Sequence, residues 1–275
     1  MTSPMERARQ VAEGASSDPQ ARNAAWWNEL PMTYRSWDVD GRADLAAEDF
    51  ITIERDFLDG NPWFERHYDF ARHAGQRVLE IGCGAGATTC LFAKAGAKVT
   101  AIDLTERAVQ LTASNCEAQG LQVDLRQMDA EHLDFPDGSF DYVFSWGVLH
   151  HSADTEAAYR EVARVLRPGG ECLTMVYNRA SFRYWVRGLE WLLLRGRLLK
   201  RDTLRSVQRF YTDGYYHRHF TRRELLAMHQ RVGLSAERTS VTHMAKRMAP
   251  KLPLAVDEWL KERAGWLMVV EARKL

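Results

Sequence analysis

The sequence lacks the features of a membrane-spanning or exported protein. It contains no run of about 18 apolar residues that would cross a bilayer, and Met1–Gln10 contain no apolar stretch like those of signal peptides. The cysteines form no C-x-x-C pair and no Cys/His spacing typical of zinc; they are Cys83, Cys90, Cys116 and Cys172. We therefore expect a cytoplasmic protein with reduced thiols, no bound metal and no transmembrane segment.

Net charge is also absent. Lys plus Arg and Asp plus Glu number 37 each in 275 residues, so no overall field attracts the chain to nucleic acid. Internal repeats and low-complexity segments are missing as well. The hydrophobic and charged fractions, 45% and 27%, are those of an ordinary folded protein. We expect a globular chain with no nucleic-acid partner.

Strands and helices alternate from Gln76 onward. The predicted strands are 77–81, 97–102, 122–127, 140–145 and 171–177, and the predicted helices between them are 88–95, 105–119 and 153–166. Such alternation is typical of a parallel sheet that is covered on both faces. With two further strands at 234–242 and 266–272, we predict an α/β fold: a doubly wound, mostly parallel sheet of seven strands with helices on both faces.

Helical regions flank this core. We divide the chain into a helical lid segment (1–75), a cofactor-binding core (76–178), a helical insert or substrate cap (179–233) and C-terminal strands (234–275). In the lid, Trp26 and Trp27 are adjacent, so one short helix cannot turn both toward a single core. In the insert, 182–201 is predicted to be one helix with an apolar face and a basic rim. Three roles for this helix stay open: it covers the acceptor, it contacts a membrane surface or a partner subunit, or it packs on the sheet.

The candidate site lies at the carboxyl ends of the predicted strands, because ligands of open parallel sheets bind there. After the first strand, the glycines of Gly82–Gly86 make a turn without Cβ atoms, which lets backbone approach a ligand. Asp103 and Asp129 end the next two strands, where they are placed to accept from ribose hydroxyls and from an adenine amino group. Ser145–Trp146 end the fourth strand at the centre of the predicted cleft.

The glycine turn alone leaves two cofactor classes open, since Gly82, Gly84 and Ala87 also fit the G-x-G-x-x-A form of a dinucleotide site. Glu80 stands two residues before Gly82, where a carboxylate repels pyrophosphate but attracts the ammonium group of a methionine moiety. Asp129 adds an acid that a nicotinamide cofactor does not require. The charges therefore favour S-adenosylmethionine, a sulfonium nucleoside with a free amine.

The sequence resembles the class I S-adenosylmethionine-dependent methyltransferases over residues 76–176. The segments that carry the resemblance are Val78–Gly86, Ala101–Thr105, Asp129–Leu133, Phe135–Asp141, Val148–His151 and Leu166–Gly170. The resemblance implies that Glu80 serves the methionine amine, that Asp103 takes the ribose hydroxyls and that Asp129 meets the adenine. The residues predicted to contact the cofactor are Glu80, Gly82, Cys83, Gly84, Asp103, Leu104, Asp129, Ala130, Ser145 and Trp146.

Methyl transfer to a hydroxyl gains from a general base, and histidine suits that role near neutral pH. His150 and His151 follow the fourth strand and are the candidates; we favour His151, but spacing does not separate them. The residues predicted to line the acceptor pocket are Tyr34, Tyr177, Tyr215 and His219.

These observations predict an S-adenosylmethionine-dependent methyltransferase that acts on a small-molecule acceptor, with O-methylation favoured over N or C. Two alternatives stay open: a nicotinamide-dependent oxidoreductase, and a non-catalytic cofactor-binding partner subunit. The acceptor itself and the assembly, for which a homodimer is the candidate, are not fixed by the residues.

Overall fold

The structure is a computed structural model that describes residues 4–32, 47–244, 248–249 and 251–275. Its strands are β1 (Arg77–Ile81), β2 (Lys98–Asp103), β3 (Asp124–Gln127), β4 (Phe140–Trp146), β5 (Leu166–Asn178), β6 (His219–Phe220), β7 (Leu234–Thr242) and β8 (Leu267–Lys274). Its α-helices are α1 (Pro4–Ala15), α2 (Pro19–Glu29), α3 (Ala47–Gly60), α4 (Trp63–His67), α5 (Ala87–Lys94), α6 (Glu106–Ala118), α7 (Thr155–Val165), α8 (Phe182–Leu189), α9 (Arg222–Arg231) and α10 (Leu254–Ala264).

The sheet confirms the predicted fold class. Its strand order is β3-β2-β1-β4-β5-β8-β7, with β6 paired beside the end of β5. The pairings from β3 to β5 are parallel, whereas β8 runs antiparallel to both β5 and β7. The direction of winding reverses between β1 and β4, and a crevice forms at the carboxyl ends of strands at such a switch point. Beyond the predicted seven strands, the structure adds the two-residue β6.

Apolar residues cover both faces of the sheet. Leu79 and Ile81 of β1 join one buried cluster, whereas Val78 on the same strand joins another. Because neighbouring residues of a strand point to opposite faces, the two clusters lie on opposite sides of the sheet. The first cluster includes Tyr159 of α7 and the second includes Phe92 of α5. This two-sided burial is what a parallel sheet requires.

The lid contains two helices that pack on each other and on the core. Trp26 of α2 is fully buried against Ala8 and Ala12 of α1. Trp27 contacts this cluster only in part and also lies against the core. The adjacent tryptophans therefore have different partners, as their spacing predicts. The helical pattern of 47–70 is divided in the structure into α3, α4 and a short 3-10 turn, Phe70–His73, with Asn61 and Pro62 at the first break.

The insert differs most from its prediction. The single helix predicted over 182–201 is wrong: α8 ends at Leu189, a wider helical turn occupies Glu190–Leu194, and a 3-10 turn spans Leu198–Lys200. Gly196 and Arg201 both have positive φ, 64° and 62°, which a continuous right-handed helix does not allow. The capping box of Thr221 and Glu224 is present and begins α9. Helix α10 is an element that the sequence reading missed.

No helix of the described residues is long and apolar enough to cross a bilayer.

Candidate active site

A cleft of about 1050 Å³, counting the open space at its mouth, lies over the carboxyl ends of the parallel strands. Its floor comes from the ends of β1, β2, β4 and β5 and from the segment after β3; one wall comes from α2 and the residues that follow it. The insert contributes Asp213, and Met244 follows β7.

The glycine turn after β1 needs glycine at two positions that line the cleft. Gly82 has φ 86°, and a Cβ there would lie 2.1 Å from Cγ2 of Val148. Gly84 has φ 57°, and its missing Cβ would lie 3.4 Å from the carbonyl oxygen of Met32. Both φ values fall where L side chains are strained. The turn therefore brings bare backbone to the cleft surface, as predicted.

Glu80 is buried behind this turn and is not among the residues that line the cleft. Its two carboxylate oxygens accept hydrogen bonds from the hydroxyls of Thr88 and Thr89, in the first turn of α5. Burial raises the pKa of Glu80 to about 7. The structure thus corrects the expectation of direct contact with a methionine amine, because the carboxylate is turned onto α5.

The position of Glu80 still bears on the choice of cofactor. A dinucleotide places its pyrophosphate on the amides of a helix N-terminus, and a carboxylate already sits on the first turn of α5. The amides of the glycine turn are also engaged: Gly82 and Cys83 donate to the carbonyl oxygen of Ile102, at 2.7 and 3.1 Å, and Gly86 donates to that of Cys83 at 2.8 Å. These contacts disfavour the oxidoreductase alternative.

Asp103 and Asp129 line the cleft, as predicted. Asp103 accepts from the Gly84 amide at 3.1 Å and from the amide and hydroxyl of Thr105, both at 3.0 Å. Burial raises the pKa of Asp103. Together with the Leu104 amide, these donors hold the carboxylate at the surface of the cleft. Asp129 accepts from Nε2 of Gln20 at 2.8 Å, which ties it to α2.

The other predicted cofactor residues divide into two groups. Leu104, Ala130 and Trp146 line the cleft. Cys83 and Ser145 do not: the Cys83 side chain is buried in the apolar cluster with Phe92, and the Ser145 hydroxyl donates to the carbonyl oxygen of Ile81 at 3.2 Å. Both support the floor of the cleft rather than facing it.

The structure separates the two candidate bases. His151 lines the cleft, and its Nδ1 lies 2.8 Å from the carbonyl oxygen of Tyr216. A carbonyl only accepts, so Nδ1 carries the proton and Nε2 carries the lone pair. Burial lowers the pKa of His151 to about 4, so the ring is neutral at pH 7. His151 is therefore held in the tautomer that accepts a proton at Nε2.

His150 does not line the cleft. Its ring is fully buried, with ring centroids 3.9 Å from Tyr177 and 4.2 Å from His151. Burial holds its pKa well below the ordinary value, and the neighbouring His151 and His219 add to this effect. His150 is thus a packing residue behind His151, and we remove it from the candidate bases.

Of the predicted acceptor residues, only Tyr177 lines the cleft among those that are described. Tyr215 instead receives a hydrogen bond from Nη1 of Arg22 at 3.2 Å and packs with the lid cluster. His219 is buried beside Tyr177 and Trp266, with ring centroids 5.5 and 4.9 Å away. Both predictions are corrected because neither ring lines the cleft: Tyr215 is half-buried against the lid, and His219 is buried beneath the insert. Tyr34 lies outside the described residues.

Several cleft residues were not among the predicted contacts. Gln20 and Asn23 of α2 had no sequence signal; Asn23 donates to the carbonyl oxygen of His151 at 2.8 Å. Trp27, suspected only as a lid residue, lies edge-on to the His151 ring at 5.1 Å. Asp213 lies in a Thr-Asp-Gly turn of the insert. Helix α2 therefore joins both ends of the cleft, from Asp129 to His151.

No group of three His, Cys, Asp or Glu side chains in the described part of the chain is placed to hold a metal ion.

The chain matches known proteins across this site. A methyltransferase domain model matches residues 79–174. A ubiquinone biosynthesis O-methyltransferase of Xanthomonas oryzae pv. oryzae is 40% identical over 176 residues, which cover 62% of this chain and 68% of that protein. One of the same name from Xanthomonas axonopodis pv. citri is 35% identical over 178 residues, with the same coverage.

The chain belongs to the S-adenosylmethionine-dependent methyltransferases. A solved methyltransferase of this kind from Methanosarcina mazei has the same fold as this methyltransferase, with a TM-score of 0.55 at 21% identity; the match covers 79% of this chain and 99% of that one. The cofactor of the methyltransferase is S-adenosylmethionine, and the cleft residues Asp103 and Asp129 with the bare turn at Gly82–Gly84 fit that ligand.

Proposed function

We propose that this methyltransferase methylates a hydroxyl oxygen of a small, ring-bearing and largely apolar acceptor. Two observations support the acceptor class. The relatives named above are O-methyltransferases of ubiquinone biosynthesis. The cleft presents aromatic and thioether side chains, which fit flat apolar rings; they are Trp27, Met32, Trp146, Met175, Tyr177 and Met244.

His151 is the proposed general base, and its geometry carries the proposal. S-adenosylmethionine, when bound, supplies an electrophilic methyl carbon. Nε2 of His151 would take the hydroxyl proton, so that the acceptor oxygen could serve as the nucleophile for that methyl group, with S-adenosylhomocysteine as the leaving group. The carbonyl oxygen of Tyr216, 2.8 Å from Nδ1, fixes the ring for this transfer. The products are the methyl ether, S-adenosylhomocysteine and a proton on His151.

The weak basicity of a buried imidazole favours an acidic hydroxyl as the group that it deprotonates. A pKa of about 4 for His151 makes it a weak base, and proton transfer is most efficient when donor and acceptor pKa values are close. A phenolic hydroxyl, with a pKa of about 10 as in tyrosine, is far better matched than an aliphatic alcohol. We therefore propose a phenol or catechol as the acceptor group.

Three elements hold the cofactor in this proposal. Asp103 and Leu104 receive the ribose, Asp129 and Ala130 the adenine, and the backbone at Gly82–Gly84 lies along the methionine part. Glu80 acts on the methionine part through its charge and by bracing the first turn of α5. The lid helix α2 closes the cleft from above, through Gln20 and Trp27.

The test is methyl transfer from labelled S-adenosylmethionine to catechol, to alkyl-substituted catechols and to matched cyclohexanols. We expect labelled methyl ethers from the catechols only, with higher kcat/KM for the alkyl-substituted ones. Labelling of the cyclohexanols alone would contradict the phenol assignment. Binding of S-adenosylhomocysteine without transfer to any acceptor in a metabolite extract would favour the non-catalytic alternative.

A further inference from the structure

The insert exposes an unusual number of large apolar side chains. We call them the apolar ridge; they are Phe182, Trp185, Val186, Leu189, Leu193, Leu194, Leu198 and Leu199. Leu194 and Leu199 are 82% and 90% exposed. Single exposed leucines are ordinary, but eight large exposed apolar side chains within 18 residues mark a contact surface.

The ridge is held outward by a well-packed inner face. Tyr184, Gly188 and Leu192 are buried on the side opposite the ridge. A Cβ on Gly188 would lie 2.8 Å from Cδ2 of Leu204, so the helix rests directly on the following segment. Gln208 donates to the carbonyl oxygen of Leu204 at 2.8 Å and of Tyr184 at 3.3 Å, which fastens the two together. The exposed side is thus a rigid face of a folded element.

Positive charge surrounds the ridge, although the whole chain is neutral. Residues 182–209 contain eight Arg and Lys side chains and two acids, Glu190 and Asp202. Both acids are already paired within the segment, Glu190 with Arg187 and Arg195, and Asp202 with Arg197 and Arg209. Lys200, Arg201 and Arg205 are exposed and have no ion pair among the described residues. The segment is therefore a cationic, apolar surface.

We propose that the apolar ridge docks this methyltransferase on the surface of an anionic lipid bilayer. Leucine and tryptophan side chains with adjacent basic residues are the composition of interfacial segments, which bury their apolar side chains at the headgroup boundary. Lys200, Arg201 and Arg205 add electrostatic attraction to anionic lipids. No described helix spans a bilayer, so the contact is peripheral and reversible.

Charge distinguishes this occupant from a second copy of the chain. A two-fold dimer places the same surface on both sides of its interface, so the excess positive charge of one segment would face that of the other. A bilayer of anionic lipid carries the opposite sign and neutralises it. The ridge therefore fits lipid better than a symmetric partner.

Docking would also orient the cleft. Arg183 of α8 donates through Nη2 to the carbonyl oxygen of Tyr211 at 2.8 Å, and Asp213, two residues further on, lines the cleft. The surface and the cleft wall are thus parts of one packed insert. The docking proposal does not depend on which acceptor the enzyme uses.

Vesicle sedimentation tests the proposal. The full chain is mixed with vesicles of phosphatidylcholine alone or with an equal part of phosphatidylglycerol. We expect binding to the anionic vesicles that weakens with salt, and little binding to the neutral ones. L194E/L199E should lower binding at least tenfold, and K200E/R201E should lower it about fivefold for each basic residue removed. The thermal shift with S-adenosylhomocysteine should be unchanged in both variants, which shows that they are folded.

The matched controls lie at the amino ends of the parallel strands, the end of the sheet opposite the insert. Leu275 is 81% exposed, and Lys98 is exposed at the start of β2; L275E and K98E should bind vesicles like the wild type. Equal binding to neutral vesicles, or equal binding by the ridge variants and these controls, would overturn the proposal. So would a dimer in analytical ultracentrifugation that L194E/L199E dissociates, since the ridge would then be covered by a second copy.

Discussion

The proposed chemistry depends on one ring nitrogen, Nε2 of His151. We expect His151→Gln to lower kcat by about 10²–10⁴-fold, the usual contribution of a general base. His229→Gln is the matched control, because His229 is also buried and neutral, with Nδ1 2.8 Å from the carbonyl oxygen of Leu225, but does not line the cleft. Steady-state kinetics with the catechol acceptor, and thermal shift with S-adenosylhomocysteine, separate lost chemistry from lost binding. A His151→Gln enzyme within a few-fold of wild type would refute the base assignment.

Gly214 of the insert lies directly against the His151 ring. Gly214 has φ 84°, and a Cβ there would lie 2.5 Å from Nδ1 of His151. Gly214→Ala should cost about 1–2 kcal/mol through backbone strain and should also displace the imidazole, so that kcat falls.

Gly233→Ala is the control for backbone strain alone, because Gly233 has φ 82° and no atom lies within 4 Å of its missing Cβ. Urea unfolding should show both variants destabilised, and kinetics should show only Gly214→Ala impaired. Equal activity of the two would mean that the imidazole tolerates the added methyl group.

At this scale the sequence predicted positions better than orientations. Asp103, Asp129 and Trp146 line the cleft because the carboxyl end of a parallel strand determines where they lie. His150 and His151 differ only in which way each ring turns, and that depends on the Tyr216 carbonyl 65 residues away. Such long-range contacts leave no local pattern in the chain.

Substitutions of the N-cap residues of α6 and α9 distinguish an effect on stability from an effect on cofactor binding. Thr105 caps α6 and its hydroxyl donates to Asp103 at 3.0 Å, whereas Thr221 caps α9 away from the cleft. Replacing either with Ala should cost about 1 kcal/mol of unfolding free energy. Only Thr105→Ala should also weaken S-adenosylhomocysteine binding, because Asp103 loses a donor that holds its carboxylate. Urea unfolding with calorimetry measures both effects, and equal binding by the two variants would contradict this role for Thr105.

The predictability of each element follows from how local its determinants are. Strands β1, β2, β4 and β7 were predicted closely, because apolar runs and glycine turns are local signals. The prediction of one helix over 182–201 was wrong. Gly196 lies among the leucines that suggested the helix, but its φ of 64° is incompatible with a right-handed helix. Helix α10 was missed because it follows Pro253 directly and its apolar residues show little helical periodicity.

Buried histidines make the stability of the whole molecule sensitive to acid. Burial lowers the pKa of eight histidines. The pKa falls to about 4 for His151 and His243 and to about 3 for His217, it lies well below the ordinary value for His150 and His219, and it is also lowered for His67, His73 and His229. Between these values and about 6.5, the unfolded chain binds more protons than the folded one, so the stability from these groups falls as pH falls. Buried acids oppose this trend: burial raises the pKa of Glu80 to about 7 and also raises the pKa values of Asp103, Glu131 and Asp213, but these acids are fewer than the histidines.

We therefore expect a lower free energy of unfolding at pH 5.5 than at pH 7.5. Replacing His217 with Gln should reduce that difference, since one protonatable group of the unfolded chain is removed. Urea unfolding at several pH values measures it. A stability that is constant or rises toward pH 5.5 would contradict the buried-histidine account.

The cleft draws its walls from sequence regions that lie outside the segment matched by the methyltransferase domain model. The methyltransferase domain model ends at residue 174, yet Gln20, Asn23, Trp27, Asp213 and Met244 all line the cleft. An expression fragment limited to residues 79–174 would keep Asp103 and Asp129, which are proposed to hold the nucleoside. It would lose the cleft residues contributed by α2 and by the insert. Assays on such a fragment would therefore measure an incomplete active site.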